Sequence, residues 1–404
     1  MTTSSVSPSH TQPIELMEYG PAREVRMGSE TAAAITATRL VEARPTEAPG
    51  TWSLVPGGRV GAVHVGGVSV HVAPKMPITR LMFLLEYTPH QVAWQRERVE
   101  LSEHADLLQV IATVFARTAD EATRTGLLQG YVSVEESRPV VRGRIREAEQ
   151  IRLRQGRLLP VEVRYDDFTV DVAENQLLLA ATRRLLRFRS VEPRTRQQLM
   201  QLRQLMANVS PVIGGSSLPR WTASRLNMRY QPALQLAAVI LAGSSFEHEI
   251  GSFSVHGFVL NMPKVFEDFL TKALEVALQP HGGQVRTQIT VHLDESQLIR
   301  IRPDMVWTEG RRPLAVIDAK YKAEKPEGFP DADIYQALAY ATALNLSDAH
   351  LVYAKGNEPA RSCTVRHSGV RIAAHTLDLD KPAPALLEQI SRLAQRIVDA
   401  AGLP

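Results

Sequence analysis

The chain is nearly devoid of cysteine: Cys363 is the only one in 404 residues. A disulfide framework within the chain is therefore excluded, and so is a zinc site built on several cysteines. Such a composition fits a reducing cytoplasm. Long apolar runs are also missing. The longest, LQLAAVILAG at 234–243, falls far short of the ~20 residues that span a bilayer. The polar opening MTTSSVSPSHTQP lacks the basic-then-apolar pattern of a secretory signal, so a soluble cytoplasmic protein is expected. No G-x-x-x-x-G-K-[ST] occurs, and any nucleotide-driven motion must come from another protein. There is no internal repeat.

Nor is there a large charge imbalance: 46 Lys and Arg against 43 Asp and Glu leave a net charge of +3, which does not announce a nucleic-acid binder. The charge is unevenly placed, however. Residues 138–164 hold Arg138, Arg142, Arg144, Arg146, Arg152, Arg154, Arg157 and Arg164 against Glu147, Glu149 and Glu162. A second basic set runs from Arg183 to Arg196. Such clusters meet phosphates, meet an acidic partner, or serve as a solvated face.

The hydrophobic patterning divides the chain into a disordered N-terminus (1–18), a β-rich N-terminal domain (19–170), a helical connector (171–250) and a C-terminal α/β domain (251–404). In the second of these, VGAVHVGGVSVHVAP (60–74) alternates small or apolar residues with polar ones around Gly66-Gly67, a hairpin signal. Residues 103–127 read as a long amphipathic helix, and 130–170 return to strands. The connector shows helical spacing at 173–189, 194–209 and 230–244, with Pro193 separating the first two. In the last domain a helix at 264–278, with Asn261 as its cap, precedes strands QVRTQITVHL and QLIRIRPDMVW, joined at Asp294-Glu295-Ser296. A third strand, PLAVIDAKY, a helix at 331–344, a strand at 349–354 and a helix near 384–401 complete a mixed α/β fold.

One feature of PLAVIDAKY does not suit a core strand. Asp318 and Lys320 interrupt an otherwise apolar run, and alternation places them on one face with Ala319 on the other. Asp304 follows Pro303 on the preceding strand, and a turn near Glu309-Gly310-Arg311 would bring it to Asp318. Two carboxylates in a partly buried place repel unless a cation lies between them. Mg²⁺ suits such a pair, completed by water and the phosphate oxygens of a substrate, and a neighbouring lysine can then orient water or offset charge on the phosphorane. On the following helix Gln336 and Tyr340 are one turn apart, on one face.

P-D, then D-x-K, then Q-x-x-x-Y, in that order of elements, resembles the PD-(D/E)xK nuclease core. That resemblance assigns metal binding to Asp304, Asp318, the main chain of Ala319 and Glu267 on the helix before the strands. It assigns catalytic roles to Asp304, Asp318, Lys320 and Gln336, with Mg²⁺ (or Mn²⁺) as cofactor. The likeness is wider than the core. VSVHVAPKMPITRLMFLLEYT, VVRGRI, VDVAENQLLLAATRRLL and NMPKVFEDFL, in that order, resemble the McrC family, the nuclease subunit of McrBC modification-dependent restriction systems. Membership implies a partner, an McrB-like AAA+ GTPase hexamer, on which the N-terminal domain docks and whose GTP hydrolysis it stimulates. It also implies duplex DNA carrying modified cytosine as substrate. Lys75, in a turn, and the arginines Arg142, Arg144, Arg152, Arg154 and Arg157 are then candidates for meeting the GTPase. The alternatives are a catalytically idle assembly subunit of an AAA+ motor and a stand-alone DNA-repair nuclease.

Overall fold

The computed structural model describes residues 13–87, 107–188, 191–213, 217–242, 248–250, 253–323, 331–355 and 361–402. It is a mixed α/β protein that packs as two units, Met1–Leu107 with Gly243–Pro404, and Leu108–Ala242. Among the described residues, no helix is long and apolar enough to cross a membrane.

These units do not follow the linear division expected from the patterning. The reason is a strand exchange that no local signal announces. Phe253–Asn261 pairs antiparallel with Arg59–Val65, so the start of the C-terminal region completes an N-terminal sheet. Gly61 makes this approach possible: at φ +137 a Cβ there would lie 2.0 Å from the Phe258 carbonyl oxygen. The Gly66-Gly67 hairpin forms as expected, with Val65 opposite Val68 and both glycines at positive φ.

Part of the expected disordered N-terminus is also ordered. Ile14–Met17 pairs parallel with Val68–Ala73, burying Ile14 and Leu16 in the core of this sheet. Composition hid it, because the Ser/Thr/Pro-rich run precedes a short I-E-L-M alternation. Residues 1–12 of that expectation lie outside the described residues, as do 103–106 of the expected helix; its remainder is Leu107–Thr123.

The second sheet of the larger unit holds the residues of interest. Its order is Gln284–Thr287, Met305–Glu309, Arg312–Ala323, Asp348–Lys355, Arg371–Thr376, Arg361–Thr364. Arg312–Ala323 and Asp348–Lys355 run parallel, joined through the helix Asp331–Ala343. The face bearing Val316 packs on that helix through Ala337, Tyr340 and Ala341. By alternation Asp318 and Lys320 share this face, while Tyr321 points to the other and meets Phe266 of the helix Met262–Leu278. Asn261 holds the N-cap position of that helix, but its side chain makes no capping hydrogen bond.

The two long strands expected before PLAVIDAKY are interrupted. Gln288 enters the left-handed region (φ +47), and residues Val291–His292 and Arg300–Ile301 form a separate small hairpin before the chain rejoins the sheet at Met305.

The smaller unit holds helices Leu107–Thr123 (Leu107 itself counting with the larger unit), Ala173–Arg187, Pro193–Leu205 and Gln231–Ala242. Pro193 opens the third of these, where its missing N–H costs nothing. The strands Gly130–Arg138, Val161–Thr169 and Arg144–Ile145 make its sheet. A helix not anticipated, Glu147–Arg154, sits between the last two in sequence, with Glu147 and Glu149 in its first turn and Arg152 and Arg154 in its last, as the helix dipole favours.

Candidate active site

The turn at Gly310 (φ +59) pairs Glu309 with Arg312 and Thr308 with Pro313, and a bulge that leaves Leu314 unmatched then shifts the register by one, so that Met305 lies opposite Ile317. Asp304 is one residue beyond that pair, and Asp318 one residue beyond it on the other strand. The pairing thus brings the two carboxylates to the same place. The backbone N–H of Ala319 donates to Asp304 Oδ2 at 2.9 Å, fixing the first carboxylate against the D-x-K segment.

Burial dominates the electrostatics. Asp318 is only 3% exposed. Burial first, then the Asp318 charge, pushes Asp304 up to about 7, with Glu267 adding to the repulsion. Asp318 is also raised by burial, opposed by the Lys320 ammonium, which closes on Asp318 Oδ2 as an ion pair. Lys320 Nζ further donates to Gln336 Oε1 at 2.6 Å. Gln336 Nε2 donates to the Tyr340 hydroxyl at 2.8 Å, which in turn donates to the carbonyl of Arg302 at 3.1 Å. One helix face therefore ties the lysine of one strand to the chain just ahead of Asp304. Burial raises Tyr340 to about 12, which keeps it a neutral donor.

Glu267 lies near enough to act on Asp304 but is engaged elsewhere, accepting from Lys264 Nζ at 2.9 Å and Gln288 Nε2 at 3.0 Å. Among the described residues, no three His, Cys, Asp or Glu side chains gather as a metal cluster. What the site does offer is a crowded, desolvated pair of carboxylates whose repulsion a cation relieves. Lys320 plays that part here. Carboxylate and main-chain oxygens are the donors a hard divalent ion takes, so the residues present fit such an ion.

Sequence reasoning missed two participants. Asp333 is buried in the first turn of the Asp331–Ala343 helix, accepts the Tyr353 hydroxyl at 2.9 Å, and has Oδ1 3.8 Å from Lys320 Nζ. Its signal was present, since it precedes Gln336 by three and Tyr340 by seven and so shares their face. The other lies behind the strand. The Tyr321 hydroxyl donates to Glu18 Oε2 at 3.1 Å, and the Lys75 backbone N–H reaches the same oxygen at 3.3 Å. Burial, above all, raises Glu18. Lys75 Nζ lies 4.5 Å from the centre of the Tyr19 ring, so this side chain is tied into the fold.

In the smaller unit the structure sorts the arginine candidates. Arg142 pairs with Asp167 at 2.8 Å and lies over the Tyr165 ring; Arg154 bonds Glu162 at 2.6 Å and Ser137 at 2.7 Å. Arg144, Arg152 and Arg157 are exposed and, among the described residues, make no side-chain ion pair. Around them Leu158, Ile151 and Val140 are exposed to 86%, 75% and 72%.

Comparison with known proteins agrees with this architecture. A solved structure described as a half-complex from a tetradecameric assembly of Thermococcus gammatolerans McrB AAA+ hexamers with bound McrC is similar at 19% identity and a TM-score of 0.56, covering 96% of this chain and 100% of that one. At this identity the likeness speaks for the fold. The cryo-EM structure of the Thermococcus gammatolerans McrBC complex matches at 20% identity over 66% of this chain and 88% of that one, with a TM-score of 0.39. No curated protein matches the chain significantly. The family model described as McrBC 5-methylcytosine restriction system component matches residues 55–354, and the chain belongs to that family.

Proposed function

We propose that the chain is the nuclease subunit of a GTP-dependent restriction complex directed at modified cytosine in duplex DNA, with a PD-(D/E)xK restriction-endonuclease-like core in its larger unit. The observation that carries this is the lock between Asp304 and the Asp318-Ala319-Lys320 segment, with Gln336 holding the lysine. Asp304, Asp318 and the main-chain carbonyl of Ala319 would hold Mg²⁺ or Mn²⁺, with Glu267 able to join them. The cation, when bound, supplies charge neutralisation and Lewis-acid activation for phosphodiester hydrolysis. Lys320 presents its ammonium where charge develops on the phosphate, and Gln336 and Tyr340 keep it there. Burial excludes competing water from the carboxylates.

The partner in this reading is an McrB-like AAA+ GTPase hexamer. The exposed Arg144, Arg152 and Arg157, interleaved with Ile151 and Leu158, have the mixed apolar and arginine character of a protein interface. An arginine from a partner can stabilise charge in phosphoryl transfer, and these three are the free candidates for that role among those considered.

A rival reading, an idle assembly subunit, draws on the Lys320 ammonium already neutralising Asp318. Manganese titration of the full chain, read by electron paramagnetic resonance, separates the two. Binding that Asp304→Asn and Asp318→Asn each abolish supports the nuclease reading. Absence of binding, or binding indifferent to both changes, supports the idle subunit.

A further inference from the structure

The small hairpin that interrupts the expected strands is anchored on the site residues themselves. At its base the Gln288 N–H donates to the Asp304 carbonyl at 3.1 Å, and the Gln288 side chain donates to Glu267 at 3.0 Å. On the returning strand the Arg302 carbonyl accepts the Tyr340 hydroxyl at 3.1 Å. Ile289 and Ile301 pack against the core of the sheet.

Its tip is held as firmly. The Asp294 carboxylate accepts the backbone N–H groups of Leu298 at 3.1 Å and Ile299 at 2.7 Å, and the Leu293 N–H donates to the Ile299 carbonyl at 2.9 Å. This turn carries two large apolar side chains outward: Leu298 is 80% exposed and Ile299 52%. With Ile301 turned inward, alternation puts Arg300 and Arg302 together on the outer face. Among the described residues neither guanidinium pairs with a carboxylate. The fold does not need an ordered turn that displays leucine and isoleucine on a basic stem beside two catalytic carboxylates.

We propose that this hairpin grips duplex DNA next to the phosphodiester to be cut. Leu298 and Ile299 enter the minor groove as an apolar wedge, and Arg300 and Arg302 neutralise phosphates of the adjoining backbone. Apolar wedges of this kind part base steps and bend the duplex around the protein. The charge is complementary, and the anchoring sets a fixed path from the wedge to Asp304. The inference rests on the nuclease reading, because it takes the carboxylates to mark where the phosphate lies.

The test uses the full chain, a fluorescein-labelled duplex, and Ca²⁺ to hold back cleavage. Arg300→Ala combined with Arg302→Ala should reduce the slope of log affinity against log salt by about 1.8, two phosphates at ~0.9 each. Leu298→Ser combined with Ile299→Ser should leave that slope unchanged and weaken binding by roughly tenfold, about 1.4 kcal/mol. It should also remove the fluorescence rise of 2-aminopurine placed at the wedged step. These side chains are exposed, so unchanged thermal unfolding is expected of both variants. Wild-type slope and affinity in both variants overturn the proposal, as does a wild-type chain that leaves the duplex unbound. Loss of GTPase stimulation or of self-association, with DNA binding intact, assigns the surface to a protein partner and overturns it too. The nuclease reading fails separately, if Asp318→Ala leaves cleavage intact; hairpin variants that bind and cut normally leave that reading standing.

Discussion

Asp304 Oδ2 accepts the backbone N–H of Ala319 at 2.9 Å, so the first carboxylate is bonded to the residue that separates the second carboxylate from the lysine. The bond needs no side chain at position 319 and depends only on strand register. A slip of one residue would turn Asp318 and Lys320 to the opposite face of the sheet. The turn at Gly310 does not set that register alone: the bulge between it and the site, which leaves Leu314 unmatched, shifts the pairing by the one residue that puts Met305 opposite Ile317.

The first prediction concerns the helix face that holds Lys320. Gln336→Ala removes the 2.6 Å acceptor of the Lys320 ammonium and its link to Tyr340. Cleavage of modified duplex in the presence of the partner GTPase should fall by about 10–100-fold, as for other residues that orient a reacting group. DNA affinity should stay near wild type. Tyr340→Phe should cost less, since Gln336 retains Lys320. Equal and complete loss of DNA binding in Gln336→Ala would point to a structural role instead.

A second prediction addresses the far side of the same strand. Tyr321→Phe deprives the buried Glu18 carboxyl of one of its two donors to Oε2. The expected loss is about 1–3 kcal/mol, measured by urea unfolding. Glu18→Gln keeps a hydrogen-bonding group without the charge that burial disfavours, so it should be milder. A Tyr321→Phe chain as stable as wild type would contradict this view of the contact.

The third prediction is a pH dependence. His350 Nδ1 and His375 Nε2 are 3.1 Å apart in the sheet interior, and burial lowers the two rings to about 4 and about 3. The unfolded chain binds their protons near pH 6.5, so the native state holds fewer protons below that value. Stability is complete above pH 6.5 and is lost as the pH falls from there towards 4, approaching ~1.4 kcal/mol per pH unit for each ring. Asp304 acts in the opposite sense. Its native value, raised to about 7, makes metal-free stability decline as the pH rises through that range. Asp318 and Glu18, likewise raised by burial, add to this opposing trend, so the histidine contribution is read as the difference between wild type and a histidine variant. His375→Gln should flatten the acid limb of a urea midpoint plotted against pH; an unchanged limb would rule out the pair as its source.

Much of the site was legible in the sequence because its chemistry contradicts its surroundings. Asp318 and Lys320 stand out from an apolar run, and Pro303-Asp304 and Gln336-x-x-x-Tyr340 follow at the spacing that strand and helix geometry dictate. The structure brings Asp304, Asp318, Lys320, Gln336 and Tyr340 into one bonded set, with Glu267 at its margin. Asp333 escaped because an aspartate in a first helical turn reads as a dipole partner. The Glu18–Tyr321 bond joins residues 303 apart, a distance across which no periodicity speaks. The same limit hid the pairing of Phe253–Asn261 with Arg59–Val65, which closes the larger unit across the smaller one in sequence. The hairpin at Val291–Ile301 was read as ordinary strand because its residues alternate well; the left-handed backbone at Gln288 that breaks the strand is not visible in a residue type.

The most direct measurement pairs two activities in one reaction: cleavage of methylated duplex and GTP hydrolysis, with the partner GTPase and either wild type or Asp318→Ala. The account predicts that cleavage falls by about a thousandfold, some 4 kcal/mol of transition-state stabilisation, while stimulation of GTP hydrolysis matches wild type. Cleavage at the wild-type rate by Asp318→Ala, with GTP hydrolysis equally unaffected, would contradict it.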